Sequence, residues 1–147
     1  MKLIKNKAVA GLVISAAMLS LCGVSAFAQK PNSSPIKLDS GVAVTITTAG
    51  KDGAKMPKAT DSVKVHYRGT FEDGREFDIS YQRGQPISFG LNQVIACWTQ
   101  GVQKMSIGSK ATLKCPGNTA YGQRGVPGAI PPNATLFFDI ELIDING

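Results

Sequence analysis

His66 is the only histidine in the chain, and cysteines number three. That scarcity sets the first limits. One imidazole with Cys97 and Cys115, which lie far apart in sequence, does not make the clustered ligand set that zinc requires. No Ser/His/Asp arrangement for acyl transfer is apparent either. Glycines are plentiful, but those between Gly117 and Gly128 lack the strand–loop–helix setting in which a glycine-rich loop cradles phosphate. No internal repeat is visible. No metal constellation, catalytic triad or phosphate cradle is therefore legible in the chain.

Long apolar runs are also absent, with one exception at the N-terminus. Lys2, Lys5 and Lys7 are followed by an uncharged stretch from Ala8 to Val24 and then by Ala26-Phe27-Ala28. A basic start, a short apolar run and an A-x-A site read as a secretory signal peptide over residues 1–28, cleaved after Ala28. The run is at the short limit for a membrane span, so removal is expected rather than stable membrane insertion. Lipidation of Cys22 is the alternative, although Leu21 is a poor residue to precede such a cysteine. Removal takes three lysines and no acid, leaving 13 basic and 10 acidic residues and a net charge of +3. That is an ordinary solubility charge, and without an aromatic–basic stripe it argues against nucleic acid as a partner. Cys97 and Cys115 remain, an even pair in a compartment where disulfides persist.

Residues 29–40, with Pro31 and Pro35 among polar neighbours, read as a flexible tether, and residues 41–147 as one domain. Period-two alternation dominates it. Val42, Val44 and Ile46; Val63, Val65, Tyr67 and Phe71; Ala111, Leu113 and Cys115; and Leu136, Phe138, Ile140 and Leu142 each alternate with more polar neighbours. Such segments are antiparallel strands with one buried and one wet face. Asp73-Gly74 supplies a hairpin turn. Val94, Trp98 and Val102 fall on one helical face, with Asn92 as N-cap and an end near Gln103. Gly101 costs about 1 kcal/mol inside that helix. Pro116 to Asn133, rich in glycine and proline, is a long irregular stretch of the kind that carries function. The fold class is α+β, one antiparallel sheet closed over one short helix.

Six fragments then occur in order: Val65-His66-Tyr67-Arg68-Gly69, Asp73-Gly74-Arg75-Glu76-Phe77-Asp78, Val94-Ile95-Ala96-Cys97-Trp98, Gly101-Val102-Gln103-Lys104-Met105, Ala120-Tyr121-Gly122, and Ala129-Ile130-Pro131-Pro132-Asn133-Ala134-Thr135-Leu136. From about Val63 to Asp144 the chain closely resembles the FKBP-type peptidyl-prolyl isomerases. The resemblance implies a strongly twisted half-barrel sheet wrapped around the helix, with an apolar pocket between them. Carried over, Trp98 is the pocket floor. Tyr67, Phe77, Val94, Ile95, Ile130 and Phe138 are its walls, and Asp78, Arg83, Tyr121 and the Ile95 N–H its polar members. Tyr67, Phe77, Asp78, Trp98, Tyr121 and Phe138 form the catalytic group; Arg83, Ile87, Val94, Ile95 and Ile130 contact substrate.

Departures are Ile87, where many members carry an aromatic, Val126 and Ala129 on the overhanging loop, and Cys97 in place of the usual glycine before the tryptophan. The implied partners are proline-containing unfolded or exported polypeptides, with tacrolimus and rapamycin as inhibitors. Nothing resembles a dimerisation arm, so a monomer is expected, acting in the bacterial periplasm or outside the cell. A non-catalytic holdase using the same pocket is the rival reading. In the family fold the Cys97 and Cys115 sites lie close together, which implies a disulfide; two buried thiols acting as small apolar residues are the alternative.

Overall fold

The computed structural model describes residues 34–146. The expected signal peptide and cleavage site, and Cys22, lie outside the described residues. Seven strands form one antiparallel sheet: β1 (Ile36–Lys37), β2 (Ala43–Thr48), β3 (Ser62–Phe71), β4 (Glu76–Ile79), β5 (Ile87–Gly90), β6 (Lys110–Cys115) and β7 (Leu136–Asn146). The order is β1-β2-β6-β7-β3-β4, with β5 also paired to β3. The alternating residues fall as their pattern requires. Val63, Val65, Tyr67, Leu113, Cys115, Leu136, Phe138, Ile140 and Leu142 are all buried on one face. The hairpin at Glu72–Arg75 joins β3 to β4.

Pairing begins before Gly41. Ile36 and Lys37 lie opposite Val44 and Ala43, so part of the expected tether is the sheet's outer strand.

The helix α1 (Ala96–Val102) crosses the concave face and starts later than Asn92. Asn92 instead sits in a 3-10 turn over Leu91–Gln93. Val94 (φ −116°, ψ 176°) and Ile95 (φ −60°, ψ 151°) are extended, so the N-cap is Ile95 and no side chain caps it. Two consecutive β-branched residues favour that extended geometry over a first helical turn. Thr99 ties the start down from the other side, its Oγ1–H donating to Leu91 O at 2.5 Å. Val94 therefore precedes the helix rather than lying on its face.

Gly101 is explained by contact. A Cβ there would lie 2.5 Å from Leu113 Cδ2 and 2.9 Å from Leu113 Cγ. The missing side chain lets α1 lie close on β6, which offsets the helix-propensity cost. The Pro116–Asn133 stretch is well tied internally. Val126 and Ile130 exchange two backbone hydrogen bonds of 2.8 Å, and Asn133 N–H reaches Gly122 O at 2.8 Å.

Candidate active site

Between α1 and the sheet lies a cavity of about 450 Å³. Its floor is Trp98, only 4% exposed. The indole stands nearly perpendicular to three rings, Tyr67 at 5.2 Å, Phe138 at 5.4 Å and Phe89 at 5.5 Å between centroids. Phe77 continues the pattern against Phe138 at 5.6 Å. Edge-to-face contacts of this kind fix ring orientation as well as burying area. The two walls can meet because position 69 is glycine: a Cβ there would lie 2.7 Å from Phe77 Cζ and 3.0 Å from Phe138 Cε1.

The polar side of the cavity centres on Asp78. Tyr67 O–H donates to Asp78 Oδ2 at 2.5 Å, and Arg83 Nη2–H donates to Asp78 Oδ1 at 3.1 Å. Both carboxylate oxygens are thus engaged and the charge is compensated. Tyr121 O–H and the Ile95 N–H make no hydrogen bond among the described residues, so both can donate to a ligand. The Trp98 Nε1–H is buried and unpartnered among the same residues.

The tyrosines titrate high. Burial, helped by the hydrogen bond to Asp78 and its charge, pushes the Tyr67 phenol up to about 12 against the opposing pull of Arg83. Burial and the Asp78 charge raise Tyr121, and burial with the nearby Glu141 raises Tyr81. All three tyrosines of the chain are expected to ionise above the ordinary value near 10. Absorbance titration of the phenolates checks this. Because the Tyr67 value is raised on folding, its stabilising contribution is whole below pH 10 and is lost as the pH climbs through about 12. A tyrosine ionising at or below 10 in the folded protein contradicts the arrangement.

Eight of the residues expected in the pocket line the cavity: Tyr67, Phe77, Asp78, Val94, Ile95, Trp98, Tyr121 and Phe138. Three do not. Arg83 stands outside the lining, bonded to Asp78 and acting on the Tyr67 phenol beside it. Ile87 pairs with Val65 and packs on the core, whereas the Phe89 ring two positions on packs edge-on against Trp98. Ile130 is buried in the overhanging loop and borders a separate depression beside Arg124 and Val126. Phe89 and Gln93, outside the set the sequence predicts, complete the lining. Phe89 could have been found from the alternation Ile87-Ser88-Phe89 after Pro86; nothing in the sequence marks Gln93.

Residues 53–143 match the profile of the family described as FKBP-type peptidyl-prolyl cis-trans isomerase. The chain belongs to that family. Among curated FKBP relatives, FK506-binding protein 1 of Saccharomyces cerevisiae is 53% identical over 97 residues, covering 65% of this chain and 85% of the relative. The FKBP-type isomerase FkpA of Escherichia coli is 50% identical over 105 residues, 71% of this chain but 38% of that longer protein. The crystal structure of FkpA superposes with a TM-score of 0.72 at 42% identity, covering 95% of this chain and 64% of that one. An isomerase from Pseudomonas syringae gives 0.72 at 31% identity, covering 98% and 99%. The sheet wrapped on one helix is thus the FKBP fold, and the chain is a peptidyl-prolyl cis–trans isomerase.

Proposed function

We propose that the cavity seats a prolyl ring of an unfolded polypeptide against Trp98 and lowers the barrier to rotation about the preceding amide. The observation that carries this is the aromatic box: Tyr67, Phe89 and Phe138 stand edge-on around the Trp98 indole, Phe77 backs Phe138, and the Tyr121 O–H and Ile95 N–H are free to donate to a peptide. Amide resonance sets a barrier of about 18–20 kcal/mol. Twisting the bond removes that resonance and makes the amide less dipolar. A dry aromatic box disfavours the planar, more polar form relative to the twisted one, so binding energy goes to the transition state. Tyr121 and the Ile95 N–H hold the carbonyls of the flanking peptide while the prolyl side turns. Asp78 holds Tyr67 and Arg83 in place. No bond is made or broken, so the site asks for no nucleophile, metal or cofactor.

The domain acts, in this reading, as a monomer on exported chains, after a signal peptide over residues 1–28 is cleaved behind Ala28. The basic start and the A-x-A site support the export assignment. N-terminal sequencing should find Gln29 first; an acylated Cys22 would make it a lipid-anchored protein instead. Among the described residues no helix is long and apolar enough to cross a membrane.

The direct test is an exchange or protease-coupled assay on X–Pro peptides. The exported protein should accelerate isomerisation, unaffected by chelators and competitively inhibited by tacrolimus. A rate equal to the uncatalysed rate across a peptide panel would leave a holdase as the function. In the same assay Tyr121→Phe should weaken ligand binding by about 1 kcal/mol, the value of one hydroxyl donor. Unchanged affinity would remove Tyr121 from the set of ligand donors.

A further inference from the structure

Strand β3 has two edges. β7 pairs the whole of one, from Ser62 to Phe71. The other edge is divided: β5 takes Ser62–Val65 and β4 takes Arg68–Thr70. His66 and Tyr67 fall in the gap. A buried backbone N–H and C=O left there would go unpaired, which folded proteins avoid.

Ser80 fills the gap. It is fully buried. Tyr67 N–H donates to Ser80 Oγ at 2.8 Å, Ser80 N–H donates to Tyr67 O at 2.9 Å, and the Ser80 hydroxyl lies 3.2 Å from the same carbonyl. His66 Nδ1 sits 3.0 Å from that hydroxyl. A continuing strand would have offered its own carbonyl to Tyr67 N–H. Here the chain turns into the 3-10 segment Tyr81–Arg83 instead, so only a side-chain oxygen can serve. Ser80 also accepts Arg83 N–H on its carbonyl at 3.0 Å.

The consequence reaches the cavity. Ser80 stands two residues after Asp78 and three before Arg83. It clamps the backbone of Tyr67, whose hydroxyl bonds Asp78, which in turn bonds Arg83. We propose that Ser80 is a positioning residue for the isomerase site: its buried hydroxyl sets the geometry of the Tyr67–Asp78–Arg83 group from behind. This rests on the reading of the aromatic box as the site of rotation, and it adds a residue that touches no substrate.

The test is a double-mutant cycle on the exported protein, assayed well below its melting temperature. Ser80→Ala should lower kcat/KM on an X–Pro peptide by about five-fold, through kcat rather than KM, because one hydrogen bond of position is lost. In a Tyr67→Phe background the same change should cost less than about two-fold, since the group it positions is already cut. If Ser80→Ala does not fold, Ser80→Cys keeps the volume with a weak donor and acceptor and should give the same pattern. Full activity in the folded serine variant overturns the proposal. So do effects that multiply across the cycle while Tyr67→Phe itself is impaired, in which case the site assignment stands. Tyr67→Phe with wild-type activity overturns the proposal together with the role given to Tyr67 in the site.

Discussion

Replacing Asp78 by valine lowers kcat/KM toward X–Pro peptides by about ten-fold, while the melting temperature moves by less than about 5 °C. The two effects separate because of where Asp78 sits. Its side chain is 37% exposed and the partner Arg83 55% exposed, so the ion pair is screened and adds little to stability. Valine suits a strand position opposite Gly69. What is lost is arrangement. Tyr67 O–H and Arg83 Nη2–H each lose their acceptor, and hydrogen bonds to a charged group are the stronger kind. The cavity wall then carries a loose phenol, and the guanidinium beside it is left uncompensated. Denaturation curves and peptide kinetics on one preparation measure both effects. A variant that melts far earlier but keeps its activity per folded molecule would assign Asp78 to the fold instead. In the same variant burial alone holds up the Tyr67 phenol, so it should ionise below the value of about 12 it has beside Asp78.

What could be read beforehand follows from how much of each element's identity is local. β3 alternates half-buried and buried residues along almost its whole length; β6 and β7 do so against wet outer faces. Six to eleven residues of period two need no partner to be recognised. β5, with four residues, and β1, with two, have too few positions for a period; they are strands because β3 and β2 present an edge to them. The helix starts later than its local pattern predicts for a related reason. Asn92 is a good cap in isolation, but Leu91–Gln93 forms a tight turn and Val94 and Ile95 stay extended to face the cavity.

The site divides in the same way. Ordered sequence fragments assign Trp98, Tyr67, Phe77 and Phe138 to the pocket through the family resemblance. Phe89 enters through its edge-on contact with Trp98 from β5, and Ile87 on the same strand packs on the core instead. The role inferred for Ser80 depends on a gap between two strands pairing the same edge, a property of no single segment. Side chains that only pack can be guessed from pattern, whereas side chains that complete someone else's hydrogen bonds need the coordinates.

Cys97 and Cys115 are bonded in the structure, with Cα atoms 5.6 Å apart and no exposed surface on either residue. That separation is within the range a bridge adopts without moving backbone. The bond closes a segment with a sequence separation of 18, worth about 3 kcal/mol in the chain-entropy account. For a domain of this size that corresponds to a melting temperature roughly 10–15 °C lower when the bridge is absent. The placement matters as much as the amount. Cys97 is the residue before the Trp98 floor, and Cys115 ends β6 where the Pro116–Asn133 stretch carrying Tyr121 begins. The bridge therefore ties the floor of the cavity to the root of its rim. Burial shields the sulfurs, so reduction should require unfolding, and the reduced form is best prepared in denaturant and refolded. Protein recovered from an oxidising compartment should show no free thiol when unfolded without reductant. The reduced form should still catalyse at low temperature, where the aromatic box is held by its ring contacts, and should lose activity at a lower temperature than the bridged form. Two titratable thiols in the exported sample, or equal melting of the two forms, would make these cysteines ordinary apolar core residues and leave the cavity dependent on packing alone.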